Sequence, residues 1–219
     1  MVALIPRDER AKYEVKEQIP WNPIQEDVNI KNASGVVTQA PRYYAFAPPG
    51  NYGIVPQTWE NGSQSDAAMG LLGDDEPLDV LDIGEARAPI GGVYRVKVLG
   101  VVPLIDRNET DYKVLVINTR DPRAAQLDDI SQVPQATLKT IYTFYRDYKG
   151  AEGRPSASFY QGPILGPDGR PSTRPNGRFL GRNFTLGVLG RSHAAWQGLV
   201  AGGCVTPGCA AIWWPGKAA

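Results

Sequence analysis

Sulfur and imidazole are scarce in this chain, whose 219 residues hold two Cys, two Met and one His. A structural zinc site, which wants thiolate and imidazole ligands, is therefore excluded. Net charge is lacking too: 23 Lys and Arg balance 23 Asp and Glu, so the strongly basic face needed by a nucleic-acid backbone binder is not expected. No apolar run is long enough to span a membrane, and the opening MVALIPRDER turns charged too early for a secretory signal. Neither GxxxxGK[ST] nor GxGxxG occurs, which removes the argument for a nucleotide-dependent transferase. The expectation is a cytoplasmic protein with no nucleic-acid or membrane partner.

Carboxylates, by contrast, are crowded. The stretch GDDEPLDVLD carries Asp74, Asp75, Glu76, Asp79 and Asp82, Glu85 follows, and no Lys or Arg appears before Arg87. Like charges this close disfavour one another's ionised forms, so the cluster must be widely solvated or neutralised by a cation. An exposed acidic loop is one reading. The other is a site for a hard divalent cation, magnesium or manganese, since every available ligand is an oxygen. The apolar run of Pro77, Leu78, Val80, Leu81 and Ile83 places Asp79 and Asp82 on a strand, with residues 74–76 leading into it.

A second acidic element, VPLIDRNETDYKVLVIN, reads as a β-hairpin with Asp106 and Asp111 near the two ends of its loop. Lys113, two residues past Asp111, projects from the same strand face. A lysine beside a cation-loaded acidic patch suits a polyvalent anion held between them, with phosphate or diphosphate as the candidate.

These residues resemble the soluble, metal-dependent inorganic pyrophosphatases, whose Asp-x-Asp-Pro-x-Asp signature stands here as Asp74-Asp75-Glu76-Pro77-Leu78-Asp79. Similar blocks are NYGIVPQTWEN, LIDRNETDYK, FYRDYKGAEGRP and SHAAWQGLVAG, and they favour the eukaryotic branch. The resemblance implies magnesium-dependent hydrolysis of inorganic diphosphate to two phosphates by a metal-bound hydroxide. It makes Asp74, Asp79, Asp106 and Asp111 metal ligands, and Glu76 the general base where the family has Asp. It also makes Asp74 and Lys113 catalytic, and Lys12, Glu14, Tyr52, Lys113, Tyr148 and Lys149 substrate-binding. The family carries Glu where Leu4 stands, and a phosphate-binding Arg in a strand near 36–40, where GVVTQAP has none. Arg42 and Lys31 are the nearest cations. A diverged paralogue acting on another phosphorylated or diphosphate metabolite, and a repurposed non-catalytic barrel, are the alternatives. Relatives of this kind imply a homodimer.

The fold expected is mainly β with flanking helices, α+β in class, built on a small antiparallel sheet. Strands are predicted at 13–15, 36–38, 78–83, 94–103 and 112–118, and helices at 135–148 and 184–200. The resemblance implies closure into a five-stranded OB-like barrel. Residues 1–219 read as one domain. Within it, 150–183 form an insertion-like Gly/Pro/Arg-rich loop, either a solvated surface loop or a basic lid carrying Arg154, Arg170, Arg174, Arg178 and Arg182, and 203–219 form a tail. Cys204 and Cys209 are close enough for a small disulfide loop, but in an intracellular chain two thiols are expected to stay reduced. His193 reads as a packing or surface residue.

Overall fold

The computed structural model describes residues 1–33, 36–161, 179–202, 204 and 207–214. Arg170, Arg174, Arg178 and the end of the tail, 215–219, lie outside the described residues.

The longest paired element is a hairpin of β8 (Val96–Asp106) and β9 (Glu109–Asn118), both rich in Val, Ile and Leu. Its turn is tighter than expected. Asp106 pairs with Glu109 across Arg107 and Asn108, whose φ angles of 49° and 68° give the left-handed turn that matches strand twist. Alternation along β9 then separates two cores. Leu115 and Ile117 join Leu138, Ile141 and Phe144 of α1 (Gln135–Ala151), while Tyr112, Val114 and Val116 join Val188 of α2 (Arg182–Val200). Both helices were expected, and Gly187, Gly190 and Gly198 do not interrupt the second. Neither is long and apolar enough to cross a membrane, nor is any other described helix.

The sheet continues from β9 to β7 (Asp79–Asp82), β6 (Asn51–Ile54) and β1 (Val2–Ile5). β10 (Ser158–Phe159) and β11 (Leu180–Gly181) add to the other side of β8. Two expectations need correction. The β7–β9 pair is parallel, with Asp79 opposite Lys113. The ladder is also an open path and not a closed barrel. The lead-in to β8 meets β1 only through one bridge, Val2 with Val93, and through hydrogen bonds such as Ala3 N–H to Gly92 O (2.9 Å). A tight turn at 89–92, with Gly91 at φ 76°, leaves too short an extended piece there for a ladder.

Two small hairpins stand apart from this sheet: β2 (Tyr13–Val15) with β3 (Ile24–Glu26), and β4 (Val28–Ala33) with β5 (Val36–Pro41). They meet where Lys12 N–H donates to Arg42 O, Asp27 N–H to Lys12 O, and Arg42 N–H to Asp27 O, all within 2.9 Å. Three residues distant in sequence are thereby fixed at one point beside the sheet.

The exit from β7 is tied down by Asp121, which caps the 3-10 helix Pro122–Ala125. Its carboxylate accepts from Arg123 Nε and Nη2, and from the backbone N–H groups of Arg123 and Glu85. The Arg123 hydrogen bonds lead these in lowering its pKa to about 2. The unfolded value is about 3.9, so this charge stabilises the fold fully above pH 4 and ceases to as pH falls through 2. Asp121→Asn should therefore melt below wild type at pH 6, with the gap closing between pH 4 and pH 2. A gap constant over that range would show that the charge contributes nothing.

Candidate active site

Asp79 opens β7 and Lys113 lies opposite it on β9, so the parallel register alone sets this pair side by side. Asp111, two residues earlier on β9, shares the face. The Lys113 ammonium contacts both carboxylates and donates to Tyr52 Oη at 3.3 Å. It is 4% exposed. Burial alone would lower its pKa, but attraction to Asp111 and Asp79 outweighs burial and holds it well above the ordinary lysine value.

The same cleft, about 510 Å³, is lined by Lys12, Glu14, Asp74, Glu76, Asp106, Tyr148 and Lys149 as well. Every site residue expected from the sequence is thus brought together. Lys149, in the last turn of α1, reaches Asp106 Oδ2 at the end of β8 (2.7 Å). Lys12 contacts Glu14 and lies 3.3 Å from Asp27. The Glu76 backbone N–H donates to Asp74 Oδ1 (3.0 Å), which folds the Asp74 carboxylate back onto the approach loop.

The acidic run divides by role. Asp75 and Asp82 do not line the cleft. Asp82 is buried and accepts from Asn51 Nδ2, Tyr94 Oη and the Gly84 and Asn118 N–H groups. Asp75 has φ 65° and turns away from the cleft to accept from Trp59 Nε1 and Gly62 N–H.

Burial, followed by the neighbouring Glu76 and Asp111, pushes the Asp74 carboxyl well above its usual range. Partial desolvation at the cleft edge, followed by the neighbouring Asp79 and Glu17, raises the Glu76 carboxyl as well. Burial likewise raises Asp79, against the pull of Lys113. These carboxyl groups lack enough positive charge in the protein alone, and a cation with an oxygen-only ligand preference fits that deficit. Among the described residues, no three acidic side chains converge tightly enough to hold one unaided. Lys113 stands between Asp79 and Asp111, and Lys149 against Asp106. Tyr52 and Tyr148 are held as neutral phenols, because burial pushes both well above their ordinary values.

The profile of the inorganic pyrophosphatase family matches residues 1–162. The chain belongs to the inorganic pyrophosphatase family. Over 201 residues it is 36% identical to a chloroplastic soluble inorganic pyrophosphatase of Chlamydomonas reinhardtii, covering 90% of this chain and 64% of that protein. It is also 36% identical to an inorganic pyrophosphatase of Mus musculus, with 91% and 64% covered. This pyrophosphatase-family chain therefore spans about 64% of the length of those relatives. Among solved structures, an N-terminally truncated vacuolar soluble pyrophosphatase of Trypanosoma cruzi in complex with PPi superposes with a TM-score of 0.77 at 33% identity. That match covers 91% of this chain and 69% of the other. An inorganic pyrophosphatase from Schistosoma japonicum gives 0.77 at 31% identity, covering 99% and 72%.

Several cleft residues of this pyrophosphatase-family chain escaped sequence reasoning or were left open by it. Arg42 lines the cleft, although it lies beyond the 36–40 stretch where an arginine was sought. Its guanidinium is fixed by Asp27 Oδ2 (2.9 Å) and Glu152 Oε2 (2.9 Å), and lies 5.8 Å from the Tyr44 ring. Leu4 and Tyr44 line the cleft as well, and both are buried. Of the arginine-rich loop, Arg154 reaches the cleft and donates to Asn29 Oδ1. Two expectations fall outside the site. His193 donates from Nδ1 to Gln57 O (2.8 Å) and stacks on Trp196, a packing role as expected. Cys204 and Cys209 are joined as a disulfide and are not the reduced thiols expected.

Lys113→Met leaves Asp79 and Asp111 buried side by side with no cation. The expected loss is about 3–5 kcal/mol of stability at pH 7, read by urea unfolding. The loss should shrink when millimolar magnesium is present. An unchanged unfolding midpoint would show that Lys113 is not the neutralising charge.

Proposed function

We propose that this chain hydrolyses inorganic diphosphate to two phosphates with the help of magnesium or manganese. The observation carrying this reading is a single cleft where Asp74, Glu76, Asp79, Asp106 and Asp111 face Lys12, Lys113, Lys149 and Arg42. Acceptors for a hard cation and donors for a polyvalent anion are interleaved there, and family membership supports the same reading.

Asp74, Asp79, Asp106 and Asp111 would hold the cations, which supply a water of lowered pKa and neutralise phosphoryl charge when bound. Glu76 is the base in this reading. Its carboxylate faces the cleft next to Asp74 and takes the proton of the attacking water at an Oε atom. Where relatives carry Asp, the extra methylene of Glu moves that oxygen by about 1 Å, enough to lower a geometry-limited rate by about 100-fold. The Lys12, Lys113 and Lys149 ammonium groups and the Tyr52 and Tyr148 hydroxyls donate to the phosphoryl oxygens and to the departing phosphate. Glu14 orients Lys12 through their contact. Arg42 lines the cleft with its guanidinium engaged by Asp27 and Glu152, and in this reading its fixed positive charge helps to hold the anion.

Leu4 favours a second reading. It puts an apolar side chain on the cleft wall where relatives carry Glu, and so suits a diphosphate bearing an organic group.

The deciding measurement is phosphate release from pyrophosphate by purified protein with magnesium. Wild type should release phosphate, and Asp79→Ala should be slower by at least about 100-fold, the scale of losing a charged group that acts in the transition state. Arg42→Ala should weaken substrate use by about 10- to 100-fold, the value of one charged hydrogen bond. Release from organic diphosphates with none from pyrophosphate would transfer the assignment to the second reading. Release from neither would reject both.

A further inference from the structure

The described part of the C-terminal segment packs behind the acidic loop and against the cleft rim without lining the cleft. On one side, Cys209 at the end of the Cys204–Cys209 disulfide is fully buried, and with Ile212 it packs against Trp59 and Leu199. The Trp59 backbone N–H donates to Ser192 O on α2 (3.0 Å), which fixes the indole in this cluster. Its ring Nε1–H leaves the cluster to donate to Asp75 Oδ1 at 3.1 Å. Asp75 is the left-handed residue whose outward turn sends Asp74 and Glu76 into the cleft. On the other side, Trp213 N–H donates to Glu17 O (2.6 Å), and its ring lies 5.0 Å from that of Trp21. Glu17 and its neighbour Lys16 line the cleft mouth, and Lys16 donates to Glu14 (3.1 Å).

We propose that Trp59 is a positioning residue for the acidic loop at 74–76, and that the disulfide-closed C-terminal segment is a redox-controlled clamp holding both Trp59 and the 16–22 rim in place. The short helix α3 (Pro207–Ala211) has only five residues, too few to persist without outside support. The disulfide provides that support by tying Cys209 back to Cys204, just beyond α2. Reduction by a dithiol opens the clamp. The S–S bond breaks, each sulfur gains one electron and one proton, and the two thiols of the reductant close into a disulfide of their own. Trp59 then loses the surface packed on it, and Asp75 loses a fixed donor. Asp74, the proposed cation ligand next to Asp75, is then no longer held in place. In a cytoplasm that keeps thiols reduced, the clamp closes under oxidising conditions. Only the activity readout of this inference rests on the diphosphatase reading.

The test compares the full chain purified in the oxidised state, the same protein reduced with dithiothreitol and desalted under nitrogen, and the variants Cys204→Ser/Cys209→Ser and Trp59→Phe. Thiol titration should find two thiols after reduction and none before. Binding of Mn2+ alone is read from the electron paramagnetic resonance signal of the free ion. The reduced protein and both variants should bind Mn2+ about 10-fold more weakly than the oxidised protein, the scale of losing one outer partner of a ligand set. In the pyrophosphate assay, the magnesium needed for half-maximal rate should rise by the same factor, while the rate at saturating magnesium is largely retained. Trp59→Phe keeps the packing ring and lacks the donor, and reduction acts on a chain that has already folded, so neither depends on how the double variant folds. Equal Mn2+ affinity before and after reduction, with two thiols titrated, would overturn the clamp. Wild-type affinity in Trp59→Phe would overturn the positioning role. A tenfold difference in Mn2+ affinity without pyrophosphate hydrolysis in either state would leave the clamp standing and remove the diphosphatase reading.

Discussion

One ammonium group decides how this site can be built. Asp79 and Asp111 are both withdrawn from water, and two carboxylates in that position repel each other with little dielectric between them. Lys113 reconciles them. Its position follows from strand geometry: β7 and β9 run parallel in a register that sets Asp79 against Lys113, and the period of two sets Asp111 on the same face. A one-residue slip would turn Lys113 into the apolar layer that Val114 and Val116 now fill and turn those valines out of it, so the charge pairing and the hydrophobic pattern enforce the same register.

Around that core pair the cleft is assembled from pieces with little stability of their own. Isolated two-stranded hairpins are marginal in water, yet β2–β3 and β4–β5 form one wall. The backbone meeting of Lys12, Asp27 and Arg42 joins the two hairpins, and the side chains of the same three residues interact again through Asp27. Glu152, just past α1, anchors Arg42 to the helix that also supplies Tyr148 and Lys149. The donors proposed for phosphate therefore share their supports, and a disturbance of one is felt by the others.

What could be read in the sequence was whatever depends on near neighbours. The crowding of Asp74, Glu76 and Asp79, the hairpin carrying Asp111 and Lys113, and both long helices are set by periodicity and spacing over a few residues. The parallel pairing of β7 with β9 was not legible, because those strands are joined through β8 and no local pattern encodes a partner more than thirty residues away. Arg42 was left open for the same reason: its place in the cleft comes from backbone bonds to Lys12 and Asp27. The turn at Arg107 and Asn108 was drawn too long, since the polar residues Glu109 and Thr110 read as loop while their backbones already belong to the ladder. The two cysteines were judged by compartment, whereas the fold sets them side by side, with Cys209 buried against Trp59 and Ile212. The expected barrel closure failed at a glycine turn that the sequence displays at Gly91 and Gly92 but that carries no information about β1.

The charge inventory of the cleft also constrains how it can work. Lys12 is committed to Glu14, Lys113 to Asp79 and Asp111, Lys149 to Asp106, and Arg42 to Asp27 and Glu152. None of these four cations can turn to an incoming anion without leaving a carboxylate behind, and a buried carboxylate left alone is costly. Uptake of the anion and uptake of positive charge by the carboxylates are therefore linked, each raising the affinity for the other by the same factor. A polyvalent anion offered without a divalent cation meets side chains already paired. In the proposed reading, a divalent cation held by the carboxylates would free those ammonium groups to donate to the anion. In the proposed function, this interleaving of acids and bases is the physical reason for the two ligands to bind together.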